Sequence, residues 1–165
     1  MTNSITEVEN IDSESLIKPL TKWLEKTAPE IGTPITLEKF SIGQSNPTYR
    51  LQTNSNVNHG KFVLRTQPTG QLLKSAHAVD REYRVMDALA ATAVPVPRMI
   101  ALCTDIEVIG VKFFIMEHIA GSTIMDPGLG DLAMAEREGL YLDQVDILAE
   151  LARLDPAAIG LDGFG

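Results

Sequence analysis

The sequence predicts an α+β domain: five short strands, mainly antiparallel, with one packed helix between the third and the fourth. Three observations carry that expectation. Apolar runs of strand length lie at Ile35–Ile42, Thr48–Thr53, Lys61–Thr66, Met99–Cys103 and Val111–Met116. Turn-rich segments separate most of them, above all Asn54–Gly60, as in hairpins. Only one long helical pattern interrupts the series, from Ser75 to about Ala91, with an apolar stripe of Val79, Tyr83, Met86, Leu89 and Ala90. Strands and helices do not alternate, which argues against a doubly wound nucleotide fold. No Gly-x-x-x-x-Gly-Lys-Ser/Thr loop is present, which excludes a P-loop protein.

The flanks are helical. Ser13 to Lys26 repeats Leu16, Ile17, Leu20, Trp23 and Leu24 at helical spacing, with Ser13 placed to cap it. Pro19 inside that run either kinks the helix or marks its first turn. Trp23 is expected to dock the helix. A second flanking helix, Tyr141 to Leu154, turns Tyr141, Val145, Leu148 and Ala152 inward, and Asp143, Asp146 and Glu150 outward. Val94-Pro95-Val96-Pro97 ends the central helix and starts extended chain. The organisation expected is therefore an N-terminal helical extension and linker over 1–34, a sheet domain over 35–117, and a connector with the start of another unit over 118–165.

Composition narrows the function. The chain has 165 residues, 44% of them hydrophobic, and a formal charge of −8. Its mean hydropathy is near zero. Nine acids face two bases from Asp126 onward, and the preceding residues are nearly neutral. Nothing here is a basic nucleic-acid footprint. No apolar run approaches the roughly 18–20 residues of a spanning helix, and the polar, acidic N-terminus has no signal-peptide pattern. A cytoplasmic protein is expected. The lone cysteine, Cys103, lies in an apolar run and reads as a buried hydrophobe.

Three places could carry chemistry. Glu82 falls beside the apolar stripe of its helix, three residues after Val79 and four before Met86. A carboxylate there asks for a partner, and Arg65, closing the run Phe62-Val63-Leu64, is the natural one. The pair is either a structural ion pair or a device that aims Arg65 at a phosphate, for which a guanidinium suits. The turn Gly43-Gln44-Ser45-Asn46 joins two strands. It is either an ordinary hairpin or a concavity of backbone N–H groups that binds an anion. Glu117-His118-Ile119 ends an apolar strand and is either a plain strand end or a hinge offering backbone groups to a base. His118 has no second His, Cys or acid at ligand spacing and is not read as a catalytic base. His59 is expected in solvent.

These stretches resemble the aminoglycoside phosphotransferase and choline kinase-like family, whose fold is similar to that of protein kinases. The residues that carry the likeness are Phe40-Ser41-Ile42-Gly43-Gln44-Ser45-Asn46-Pro47-Thr48-Tyr49-Arg50-Leu51, Phe62-Val63-Leu64-Arg65 and Ala76-His77-Ala78-Val79-Asp80-Arg81-Glu82-Tyr83-Arg84-Val85. To these add Val94-Pro95-Val96-Pro97, Phe114-Ile115-Met116-Glu117 and Leu154-Asp155-Pro156-Ala157-Ala158-Ile159-Gly160-Leu161. The likeness covers about residues 12–165. It is nearest to the subgroup in which the kinase-like domain can precede an acyl-CoA dehydrogenase domain.

The resemblance implies a kinase-like N-terminal lobe that binds ATP. Gly43, Gln44, Ser45 and Asn46 would form the phosphate loop. Arg65 would stand where kinases carry the phosphate-binding lysine, with Glu82 as its helix partner, and Glu117, His118 and Ile119 would contact the adenine. Magnesium and a small-molecule hydroxyl acceptor are implied as well. The family's His-x-Asp-x-x-x-x-Asn loop does not occur. The histidines are His59, His77 and His118, and no asparagine follows Asn58. Asp162-Gly163-Phe164-Gly165 is not the metal-binding Asp-Phe-Gly, and Ala152 replaces a histidine common in the family. No catalytic or metal residue is therefore assigned, no transfer by this chain alone is expected, and it reads as a truncated kinase. The alternatives are a non-catalytic interaction module on the same fold, self-associating through its C-terminal helix, or a remnant without function.

Overall fold

The computed structural model describes residues 13–41, 46–69 and 78–164. These divide into two compact units, one of Arg98–His118 together with the chain up to Arg84, the other of Val85–Pro97 with the chain from Ile119.

The first unit holds a five-stranded sheet in the order β1-β2-β3-β5-β4, every neighbouring pair antiparallel. The strands are β1 (Thr36–Lys39), β2 (Thr48–Gln52), β3 (Lys61–Thr66), β4 (Met99–Cys103) and β5 (Phe113–Glu117). The α+β class, the strand count and the antiparallel pairing are as the sequence predicts. β3 and β4 have the expected bounds. β1 is shorter at both ends, and β5 begins two residues later than expected, where Lys112 O accepts from Gln67 N at 2.9 Å.

Side chains alternate across these strands, and the register sorts them into two faces. Tyr49, Leu51, Phe62, Leu64, Ala101, Cys103, Phe113 and Ile115 share one face and one buried cluster. Helix α1 (Ser13–Thr27) seals that cluster with Leu16, Leu20 and Leu24. Trp23 docks as expected, its ring 4.9 Å edge-on from Phe113. Pro19 does not mark the first turn; the helix runs through it, because its buried leucine stripe continues on both sides. Burial pushes the thiol of Cys103 upward, which leaves an inert sulfur in the core.

The β2–β3 hairpin closes through a short 3-10 turn, Val57–Gly60, that puts His59 in solvent. Gly60 has φ +68, and a Cβ there would lie 2.2 Å from Thr53 O, while Thr53 N donates to Gly60 O at 2.8 Å. Only glycine fits both constraints. Gly60→Ala is expected to destabilise the fold by about 3 kcal/mol in urea unfolding.

Helix α2 (Val79–Leu89) passes from the first unit into the second. It ends before the expected Ala91, where Thr92 Oγ1 donates to Leu89 O at 2.7 Å and accepts from Val94 N at 3.1 Å. Ser75, its expected cap, lies outside the described residues. Val79 and Leu89 are buried and Tyr83 and Met86 half-buried, but Ala90 faces water.

Helix α3 (Met134–Arg153) dominates the second unit and starts seven residues before the expected Tyr141. Gly139 weakens the helical pattern of that first stretch. In the structure the Glu136 carboxylate closes the turn by accepting from Ala133 N at 3.0 Å. No residue of α3 is buried. Tyr141, Val145, Leu148 and Ala152, expected to face inward, are exposed, because nothing among the described residues covers that side. Ahead of α3, the Gly130 and Gly128 N–H groups donate to Asp126 and hold its carboxyl below the usual range. Tyr141 OH donates to Pro127 O at 2.9 Å. Among the described residues no helix is long and apolar enough to cross a membrane.

Candidate functional site

The second face of the sheet carries the candidate site. Thr48 opposes Arg65, Arg65 opposes Phe114, and Phe114 opposes Leu102. Register alone therefore lines these four side chains across β2, β3, β5 and β4, with the guanidinium on the middle strand. Glu82 and Tyr83 of α2 meet the row. Tyr83 meets Phe114 with ring centroids 6.0 Å apart, and Val79 is fully buried. Apolar contact thus sets the helix so that Glu82, three residues from Val79, reaches Arg65.

The two side chains meet closely. Arg65 Nε donates to Glu82 Oε2 at 2.6 Å and its NH2 group to Oε1 at 3.3 Å. The NH1 group donates to Thr48 Oγ1 at 3.1 Å. Asn46 Nδ2 donates to Glu82 Oε1 at 2.7 Å. A guanidinium has five N–H donors, and the three contacts leave two. Arg65 and Glu82 keep 28% and 34% of their side-chain surface in water, so the pair is not sealed off from solvent. The pair is half-buried, charged on one side and still open.

A second clasp fixes the start of α2. Lys112 Nζ donates to Asp80 Oδ2 at 2.9 Å, which holds the Asp80 carboxyl below its ordinary value of 3.8. A carboxylate whose folded value is depressed stabilises the fold above its unfolded value, and that stability is lost as the pH falls through the folded value. Both groups keep about a third of their surface in water (33% and 35%), so screening limits the effect. Asp80→Asn is expected to cost about 0.5 kcal/mol at neutral pH. In urea melts across pH the difference closes as the acid is brought below 3.8.

Of the residues expected to form a site, Asn46, Arg65 and Glu82 are brought together. Gly43, Gln44 and Ser45 lie outside the described residues. Glu117 and His118 sit apart: Glu117 is three positions along β5 from Phe114, Arg65's partner, or about 10 Å along the strand. Its carboxylate Oε1 accepts from Arg98 N at 2.9 Å. His118 N donates to Lys61 O at 3.4 Å. Ile119 belongs to the second unit and is exposed. Among the described residues no group of three or more His, Cys, Asp or Glu could hold a metal. Sequence reading missed Thr48 and the Lys112–Asp80 clasp. The predicted strands Thr48–Thr53 and Lys61–Thr66, paired end to end, would set Thr48 opposite Thr66, one position from its true partner Arg65; no sequence signal joins Lys112 to Asp80.

A five-stranded antiparallel sheet with a helix-borne acid on a strand-borne base is the architecture of a kinase-like N-terminal lobe. The phosphotransferase enzyme family model matches residues 36–165, and the chain belongs to that family. Relatives include acyl-CoA dehydrogenase family member 11 of Gallus gallus, 37% identical over 99% of this chain and 20% of the relative. Acyl-CoA dehydrogenase family member 10 of Mus musculus is 42% identical over 80% of this chain and 12% of the relative. A crystal structure assigned to the aminoglycoside phosphotransferases, from Ralstonia eutropha, superposes with a TM-score of 0.75 and 38% identity, over 94% of this chain and 42% of that one. The chain thus spans about a fifth of the length of the first relative and less than half of the solved structure.

Proposed function

We propose that this chain is the nucleotide-binding lobe of an ATP-dependent phosphotransferase acting on a small-molecule hydroxyl, working in the cytoplasm. One observation carries the reading: the Arg65 guanidinium is steadied on one side by Glu82 and Thr48 and retains two N–H donors. An always-charged fork held this way meets phosphate oxygens without first rearranging. Glu82 keeps the fork aimed, and the sheet beneath keeps both from drifting. Glu117, His118 and Ile119 remain the proposed adenine contacts. Magnesium, when bound with ATP, neutralises phosphate charge; no residue of this chain is assigned to it. The sequence contains no His-x-Asp-x-x-x-x-Asn loop, so the 165 residues are proposed to bind nucleotide without transferring phosphate. The acceptor is left as a hydroxyl compound.

Titration with a fluorescent ATP analogue tests the reading: saturable binding by the chain, lost in Arg65→Ala, supports it, and no binding by the unaltered chain overturns it. The exposed apolar side of α3 (Leu142, Val145 and Leu148, each more than half exposed) favours a second reading, a non-catalytic module that pairs with itself. Concentration-dependent sedimentation without nucleotide binding would select that one.

A further inference from the structure

We infer that Asn46 is a positioning residue, acting on the nucleotide through Glu82 and Arg65 and not as a direct phosphate ligand. The inference rests on the nucleotide reading above and goes beyond it, because the turn to which Asn46 belongs was expected to hold phosphate itself.

Asn46 is 2% exposed, beside a site whose two ionic partners are half open. It reaches both anchors of the guanidinium. Its side-chain amide donates to Glu82 Oε1 at 2.7 Å, and its main-chain carbonyl accepts from Thr48 Oγ1 at 2.9 Å. A hydroxyl has one proton. With that proton given to Asn46 O, the Thr48 oxygen presents lone pairs to Arg65 NH1 at 3.1 Å. The four residues close a ring: Asn46 to Glu82, Glu82 to Arg65, Arg65 to Thr48, Thr48 to Asn46.

Residue chemistry explains why an asparagine stands here. The terminal torsion of a glutamate is broad, so Oε1 and Oε2 need a second donor to stay in the plane of the guanidinium. Arg65 NH2 reaches Oε1 at only 3.3 Å, and the amide of Asn46 supplies the shorter bond. An aspartate would set two carboxylates together, and a serine would fall short. Pro47 biases Asn46 toward extended backbone, which suits a residue whose carbonyl and side chain must serve two partners.

The test is a double-mutant cycle on affinity for the fluorescent ATP analogue with magnesium, with thermal melts showing that each variant folds. Asn46→Ala is expected to weaken binding about tenfold, the loss of one bond to a charged group. In an Glu82→Ala background the same change is expected to add less than about twofold, since Asn46 then has no carboxylate to hold. Independent, multiplying losses would overturn the inference while leaving nucleotide binding intact; failure of the unaltered chain to bind overturns both. A second pair keeps the test open should Asn46→Ala fail to fold. Asn46→Asp opposes one carboxylate to another and is expected to bind worse than the unaltered chain. Adding Glu82→Gln swaps donor and acceptor and is expected to recover part of that loss. If Asn46 touched phosphate directly, the doubly altered chain would bind no better than Asn46→Asp alone, and the positioning role would fall.

Discussion

Arg65→Ala is expected to weaken binding of the ATP analogue about 100-fold. Two N–H donors remain on this guanidinium after its bonds to Glu82 and Thr48. Each bond to a charged oxygen contributes about 1.5–3 kcal/mol, and each 1.4 kcal/mol is tenfold in affinity, so losing the pair removes at least two decades. Arg65→Lys is expected to recover only part. An ammonium is a compact point charge that cannot hold a forked carboxylate, a hydroxyl and a phosphate at once. Salt supplies a further check. Raising ionic strength should weaken the unaltered chain more than Arg65→Ala, since the charge being screened is present only in the former. Stability should change little, because Glu82 keeps a third of its surface in water and its bond from Asn46. Equal affinity in the altered and unaltered chains, with both melting normally, would remove Arg65 from the site.

The legibility of this site in the sequence follows from how locally each part is encoded. Strand and helix periods were readable because alternation and the 3.6-residue repeat are local. They placed Arg65 at the end of an apolar run and Glu82 beside a stripe, and the structure joins the two at 2.6 Å. Thr48 was readable only in principle, through register: a hairpin fixes which residues oppose, but its length had to be known first. The Asp80–Lys112 clasp depends on how α2 lies over the start of β5, a tertiary fact with no period. At α3 the stripe is legible but its surroundings are not. A helical stripe normally predicts burial, and here Val145 and Leu148 have the stripe without the cover. Periodicity reports the side a helix would bury, not whether a partner is there.

Leu20→Ala is expected to destabilise the fold by about 3 kcal/mol. Leu20 is fully buried at the middle of the α1 stripe, between Leu16 and Leu24, in the cluster formed by Tyr49, Leu51, Phe62, Leu64, Phe113 and Ile115. Truncation removes methyl groups from a space walled by a sheet and a helix, neither free to close on it. The better helix propensity of alanine returns only a few tenths of a kcal/mol. For a chain of this size the midpoint should fall by about 6–12 °C. Lys22→Ala, on the exposed side of the same helix, should stay within about 0.5 kcal/mol. The contrast decides what α1 is. A dispensable extension would make Leu20→Ala as mild as Lys22→Ala, and tryptophan fluorescence would report loss of Trp23 packing before the sheet melts. A helix that completes the core, as the Trp23–Phe113 contact indicates, makes fluorescence and far-ultraviolet circular dichroism fall together, at the same lowered temperature. That outcome would tie α1 to the Arg65 site as well, since the strands that α1 seals on one face carry Thr48, Arg65 and Phe114 on the other.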